Sequence, residues 1–91
     1  MVSRIEAENK INEWNKHIAD FMEKELQELL KAEGVRVKNG KISMNDWFKA
    51  QAIIGKQNFY EKGHAIQMEL RNAGHDVKMN MQDNTLSYSR W

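Results

Sequence analysis

Glu61 and His64 stand three residues apart in Glu-Lys-Gly-His, a spacing that places a carboxylate and an imidazole on one face of a helix. Carboxylate-bridged di-metal bundles use such a pair twice, with further glutamates on facing helices. Here the pair occurs once, with Gly63 inside it. Glu13, His17 and Asp20 repeat the helical spacing, again with no second histidine close in sequence. A zinc-type centre needs three or four converging ligands. Both sets are therefore read as solvated histidines in helical side-chain pairs, and no metal or cofactor is expected. Gly55-Lys56 is not a phosphate loop, because Ala50 stands where the first glycine belongs and Gln57 where Ser or Thr belongs. Ser43, Ser87 and Ser89 lie in strand-like alternation, without a Gly-x-Ser-x-Gly elbow. His17, His64 and His75 are scattered, so no nucleophile–histidine–acid arrangement is evident. No catalytic residue is assigned, no small-molecule substrate is evident, and the chain is expected not to be an enzyme.

Two other groups of side chains point to binding. Arg36, Lys38 and Lys41 surround Asn39-Gly40, with Lys49 nearby, and could contact phosphates or another anion. A β-ribbon or a helix can enter a major groove, so nucleic-acid binding through Arg36–Lys41 is the alternative function. Useful affinity for nucleic acid requires several neutralised phosphates, and an acidic first segment opposes a long polyanion. The second group is aromatic: Trp14, Trp47, Phe48, Phe59, Tyr60, Tyr88 and Trp91. Adjacent pairs such as Trp47-Phe48 and Phe59-Tyr60 point about 100° apart on a helix, so both members are buried only between two layers. Otherwise one of each pair faces solvent or a partner, and interface cores are enriched in aromatics, Met and Arg. Trp91, next to Arg90, frays unless it docks.

Composition narrows the setting. A chain of 91 residues is expected to form a single domain, 1–91, with a modest core. No run approaches the ~20 apolar residues of a membrane span, and Met1–Lys10 lacks the apolar core of a signal peptide. Cysteine is absent, which fits a reducing cytoplasm, and the absence of proline fits unbroken elements. The net charge of +1 is unevenly spread. Residues 1–33 hold eight acids against five bases, net −3; residues 34–91 hold nine bases against five acids, net +4. Such halves are either two solvated faces or an acidic and a basic surface that attract, within one chain or between chains.

The element positioning most of these residues is Ser3–Glu33. Ile11, Trp14, Ile18, Phe21, Met22, Leu26, Leu29 and Leu30 recur at helical steps, and predict one helix with a broad apolar stripe. Ser3 with Glu6 forms a capping box, Gly34 a stop, and Glu6–Lys10 and Asp20–Lys24 acid-before-base pairs. About 28 helical residues span roughly 42 Å, whereas a compact chain of this length is about 31 Å across. The surplus stripe predicts self-association through Ile11, Trp14, Ile18 and Phe21. Alternation around Asn39-Gly40 predicts a hairpin with Val37 facing Ile42 and Val35 facing Met44. A second helix runs from Asn45-Asp46, capped by Ser43 or Asn45, to Gly74, with a break or kink at Gly55-Lys56. Trp47, Phe48, Phe59, Ala65, Ile66, Leu70 and Ala73 lie on its broad side. A turn at Asp83-Asn84 then pairs Met81 with Leu86 and Met79 with Tyr88.

Leu30-Lys31-x-x-Gly34-x-x-Val37-Lys38 returns as Leu70-Arg71-x-x-Gly74-x-x-Val77-Lys78. This is either a duplicated helix–hairpin unit or two helices ending alike for the same local reasons. The predicted fold is α+β: two long antiparallel helices and two β-hairpins in the order α-ββ-α-ββ, with a small antiparallel sheet on one side. The expected function is a small self-associating protein-interaction module that binds a partner protein. Its composition suits a viral or mobile-element accessory protein, an inhibitor or a minor assembly component. The candidate partner-binding residues are Ile11, Trp14, Ile18, Phe21, Trp47, Tyr60 and Trp91. The candidate anion contacts are Arg36, Lys38, Lys41 and Lys49.

Overall fold

The computed structural model describes residues 3–36, 38 and 41–89. They combine helices with one small two-stranded antiparallel sheet, an α+β arrangement. α1 (Arg4–Asp20) begins beside Ser3, whose Oγ accepts a hydrogen bond from the Glu6 N–H at 3.2 Å. A π-helical turn, Phe21–Glu25, follows directly and leads into α2 (Leu26–Ala32). Helical residues thus fill nearly the span that periodicity predicts, with a change of register inside it. Ala7, Ile11, Trp14, Ile18 and Phe21 are buried at steps of four and three; the next buried residues are Leu26 and Leu30. In a regular α-helix a five-residue step rotates about 140° past a full turn. The π turn, in which the Leu26 N–H bonds to the Phe21 carbonyl, takes up the extra residue. Met22 is left half-buried and Leu29 exposed.

Gly34 and Gly74 stop two helices in the same way. Their φ values are +80° and +95°, the left-handed region where a Cβ is costly. At the first stop the Gly34 N–H bonds to the Lys31 carbonyl and the Val35 N–H to the Leu30 carbonyl. At the second, Gly74 bonds to Arg71 and His75 to Leu70, in the same pattern. This is the Schellman geometry. The echo Leu-basic-x-x-Gly is thus accounted for by the needs of a helix end.

Among the described residues, a single bridge joins the two strands expected around Asn39-Gly40. The Lys38 N–H donates to the Lys41 carbonyl at 3.0 Å, and the Lys41 N–H to the Lys38 carbonyl at 2.9 Å. That is the register of a two-residue turn, but the predicted pairing of Val35 with Met44 is not made. Val35 is buried, while Met44 belongs to a turn leading into the next helix. The Val37 half of the other predicted pair lies outside the described residues, as do Asn39 and Gly40. The predicted second helix is two helices: α3 (Trp47–Gly55) and α4 (Phe59–Asn72). The break follows Gly55, and Asn58 at φ 55° turns the chain in a conformation asparagine tolerates. Gly63 lies within α4 without interrupting it. The break re-phases the faces. Ala50 and Ile53 are the buried side of α3, and Trp47 and Phe48, expected on the same side as Phe59 and Leu70, are exposed. Neither Ser43 nor Asn45 is the N-cap; Asp46 holds that position, with no side-chain cap bond.

β1 (Val77–Met79) and β2 (Leu86–Tyr88) pair antiparallel, Val77 with Tyr88 and Met79 with Leu86. The register is two residues away from the predicted one, so the same side chains share a face but the loop is longer. Asn80 and Thr85 close that loop, the Asn80 N–H donating to the Thr85 carbonyl at 2.8 Å. Side-chain oxygens of Asn80 and Asp83 accept from the Gln82 and Thr85 N–H groups, and Asn84 has φ 62°. These local side-chain bonds outcompete a two-residue turn, leaving Met81 exposed in the loop.

The chain divides into two compact units, one holding the described residues up to Ile18 and from Phe59, the other Ala19–Asn58. In the first, α4 packs on β1. Contacts of α1 with α4 run in opposite directions: Lys10 meets Glu69, Trp14 lies against Gly63, and His17 lies near Phe59. The two helices are therefore antiparallel. Trp14 is the hub. Its indole N–H donates to the Asn84 carbonyl at 2.8 Å, and its ring meets Phe59 edge-on at 5.9 Å. Asn15 extends the sheet edge, donating to the Leu86 carbonyl at 2.9 Å and accepting from the Leu86 N–H at 2.8 Å. Gln67 donates to the Val77 carbonyl. In the second unit α3 packs on α2, and Phe21, Leu26, Leu30, Val35, Ala50 and Ile53 are buried.

Candidate interaction surface

The four apolar residues assigned to a partner on the first helix are not available to one. Ile11, Trp14, Ile18 and Phe21 are all buried within the chain. Of the same stripe, Leu29 is exposed and Met22 half-buried. Trp14 is enclosed because Gly63 admits its indole. A Cβ on Gly63 would stand 3.1 Å from two atoms of that ring. Trp91 lies outside the described residues.

Glu13, His17, Glu61 and His64, from the acid–histidine spacings, lie in the first unit, and Asp20 lies in the second. Lys10, Glu13, Trp14, His17, Ile66 and Glu69 line an open cavity of about 350 Å³. Lys10 donates to Glu69 there at 2.6 Å, in place of the predicted pair with Glu6. His17 sits 5.7 Å from Trp14 and 5.9 Å from Phe59 between ring centroids. Tyr60, half-exposed, stacks on His64 at 5.9 Å with the planes 12° apart. Among the described residues no three His, Cys, Asp or Glu side chains are placed to hold a metal ion. The Tyr88 hydroxyl lies 3.0 Å from His75 Nδ1, and burial raises the Tyr88 pKa above its ordinary value. Among the described residues, no helix is long and apolar enough to cross a membrane.

The second unit carries the exposed apolar side chains that cluster in sequence. Met44 is 87% exposed, Phe48 77% and Trp47 46%. Ile42, Met44 and Trp47 line an open cavity of about 240 Å³. The turn Ser43–Asp46 creates this arrangement. The Ser43 hydroxyl donates to Asp46 Oδ2 at 2.8 Å, and the Asp46 N–H to the Ser43 carbonyl at 3.1 Å. That turn takes Met44 out of strand geometry and presents it beside the first residues of α3. Sequence alternation alone had assigned Met44 to a buried hairpin face. The signal that could have found it is Ser43-x-x-Asp46, whose side chains bond to each other and close a turn ahead of α3.

The cationic candidates are exposed. Arg36 and Lys38, with Lys31 and Val35, line a cavity of about 380 Å³. Lys41 immediately precedes Ile42, and Lys49 immediately follows Phe48. Residues 34–58 hold five bases and one acid, net +4, whereas residues 59–91 hold four of each. The whole positive excess of the C-terminal part therefore belongs to the stretch that bears the exposed apolar residues. Compared with protein-family models, with curated proteins and with solved structures, the chain matches none.

Proposed function

We propose that this chain is a non-enzymatic protein-binding module whose contact surface is the Ile42–Phe48 segment. The observation that carries this is the exposure of Met44, Trp47 and Phe48, close together in a basic stretch of the sequence. Single exposed apolar residues are ordinary. Three within residues 44–48, one of them 87% exposed, leave apolar surface in water that a partner could cover. Methionine and tryptophan suit the role. The thioether side chain adapts to irregular surfaces, and tryptophan is over-represented where interfaces concentrate their energy.

A photo-cross-linking residue placed at position 48 tests this, with one at position 62 as control. In extract from the source cells, position 48 captures a discrete protein, identified by mass spectrometry with its cross-linked peptide, and position 62 does not. Capture of nucleic acid alone at 48, or the same proteins at both positions, overturns the proposal.

A further inference from the structure

The protein-binding reading leaves the chemistry of the partner open, and the charge around the surface restricts it. We infer that the Ile42–Phe48 surface takes an acidic amphipathic segment of another protein: apolar side chains flanked by carboxylates. This rests on the proposed protein-binding function and extends it. The apolar part of such a segment would enter the cavity lined by Ile42, Met44 and Trp47. Its carboxylates would meet Lys41 and Lys49, which bracket the apolar residues in the chain, and Lys38, bridged to Lys41. Asp46 is the one acid in residues 34–58, and it already accepts from the Ser43 hydroxyl.

Two other occupants fit less well. A second copy meeting this surface symmetrically would bring two stretches of net charge +4 together, and like charges juxtaposed across an interface are costly. Nucleic acid would use the cations and could stack on Trp47 and Phe48, but Ile42 and Met44 offer nothing to a phosphate.

The test is an NMR titration of the full chain with four probes: a short synthetic peptide of alternating glutamate and leucine or phenylalanine; its counterpart with every glutamate made lysine; its counterpart with every apolar residue made serine; and single-stranded oligothymidylate. The acidic apolar peptide moves the Met44 methyl and Trp47 indole signals, and binds about tenfold or more tightly than either counterpart. Lys41→Glu with Lys49→Glu removes the preference for the acidic peptide and leaves Tm unchanged. Met44→Ser with Phe48→Ser weakens its binding about tenfold. Equal affinity for the glutamate and lysine peptides, tighter binding of oligothymidylate, or no shift at Met44 and Trp47 with any probe overturns the inference. If the peptides fail while position 48 still cross-links to a discrete protein, the function stands and the assigned partner chemistry does not.

Discussion

Trp14 and Trp47 have opposite fates, and the contrast between them is the contrast between the two units. Trp14 lies mid-helix with Ile11 before it and Ile18 after it, on the same helical face. Its ring is enclosed by Phe59 and Gly63, and its N–H is satisfied by the Asn84 carbonyl. Trp47 opens a nine-residue helix, and its neighbours three and four residues on are Ala50 and Gln51. Ala50 is the one that turns inward. Tryptophan content thus does not separate a core from a docking surface. The difference lies in whether neighbouring side chains can complete an enclosure and whether a carbonyl is in reach of the indole nitrogen.

The largest expected effect breaks that contrast or upholds it. Trp14→Ala removes a buried aromatic and orphans the Asn84 carbonyl, at an expected cost of about 3–5 kcal/mol in denaturant unfolding. Phe48→Ser should change stability by no more than about 0.5 kcal/mol, since it removes mostly exposed surface, and Trp47→Ala, whose ring is about half covered, should cost about 1–2 kcal/mol. Similar costs at positions 14 and 47 would erase the distinction. Next in size is Asn15→Ala. Both groups of the Leu86 peptide lose their partner at the sheet edge, at about 1–3 kcal/mol. Asn15→Asp keeps the acceptor and loses the donor, so it should recover part of that loss. Full recovery would mean that the bond to the Leu86 carbonyl contributes nothing.

The glycines sharpen the comparison on a smaller scale. Alanine in a helix interior is favoured over glycine by about 1 kcal/mol. At Gly55 nothing lies within 4 Å of the added carbon, so Gly55→Ala should be stabilising by up to about that amount. At Gly63 the added carbon would meet Met79 Cε at 2.8 Å and the Trp14 ring at 3.1 Å. The methionine end can swing away. The indole is tethered to Asn84 and cannot easily follow. Gly63→Ala should therefore destabilise despite its better helix propensity, and a rise in the unfolding midpoint would show the Trp14 enclosure to be loose.

How much of this was legible depended on whether the signal was local. The Ser3 start and the Gly34 and Gly74 stops need only neighbouring residues, and they stand where the sequence places them. The break after Gly55 was visible too, because glycine weakens a helix wherever it sits. Its consequence was not visible. Three turn residues re-phase α3, so Ile53 enters the core and Trp47-Phe48 leave it. The π turn is hidden similarly, since Phe21, Met22 and Leu26 suit an α-helical stripe as readily. The second hairpin forms, but its tight turn lost to a competitor: Asp83-Asn84 suggests two turn residues, whereas the side chains of Asn80 and Asp83 bind backbone N–H groups and build a longer loop. Arg36, Lys38, Lys41, Lys49 and Trp47, singled out in the sequence, are exposed. The burial of Ile11, Trp14, Ile18 and Phe21 could not be read from the length of their helix, which says nothing of what the rest of the chain lays over it.

The smallest effect probes how well the first unit is sealed. Tyr88 is buried on β2 beside His75, and removal from water disfavours its phenolate and raises its pKa. The Arg4 guanidinium, 5.1 Å above the ring, lowers it in opposition, and Glu8 adds to the rise. An unfolded chain ionises this tyrosine near its ordinary value of about 10. Below that pH both states carry the proton, and stability does not depend on the group. Above it the unfolded state loses the proton first, so stability falls as the pH rises toward the folded-state value. Unfolding followed by the Val77 and Leu86 methyl signals should show this alkaline decline. Tyr88→Phe should lower the starting stability, by removing the contact with His75, and should reduce the decline. A decline of unchanged steepness in Tyr88→Phe would mean that water already reaches the hydroxyl, and the enclosure that distinguishes the first unit would be incomplete at its strand end.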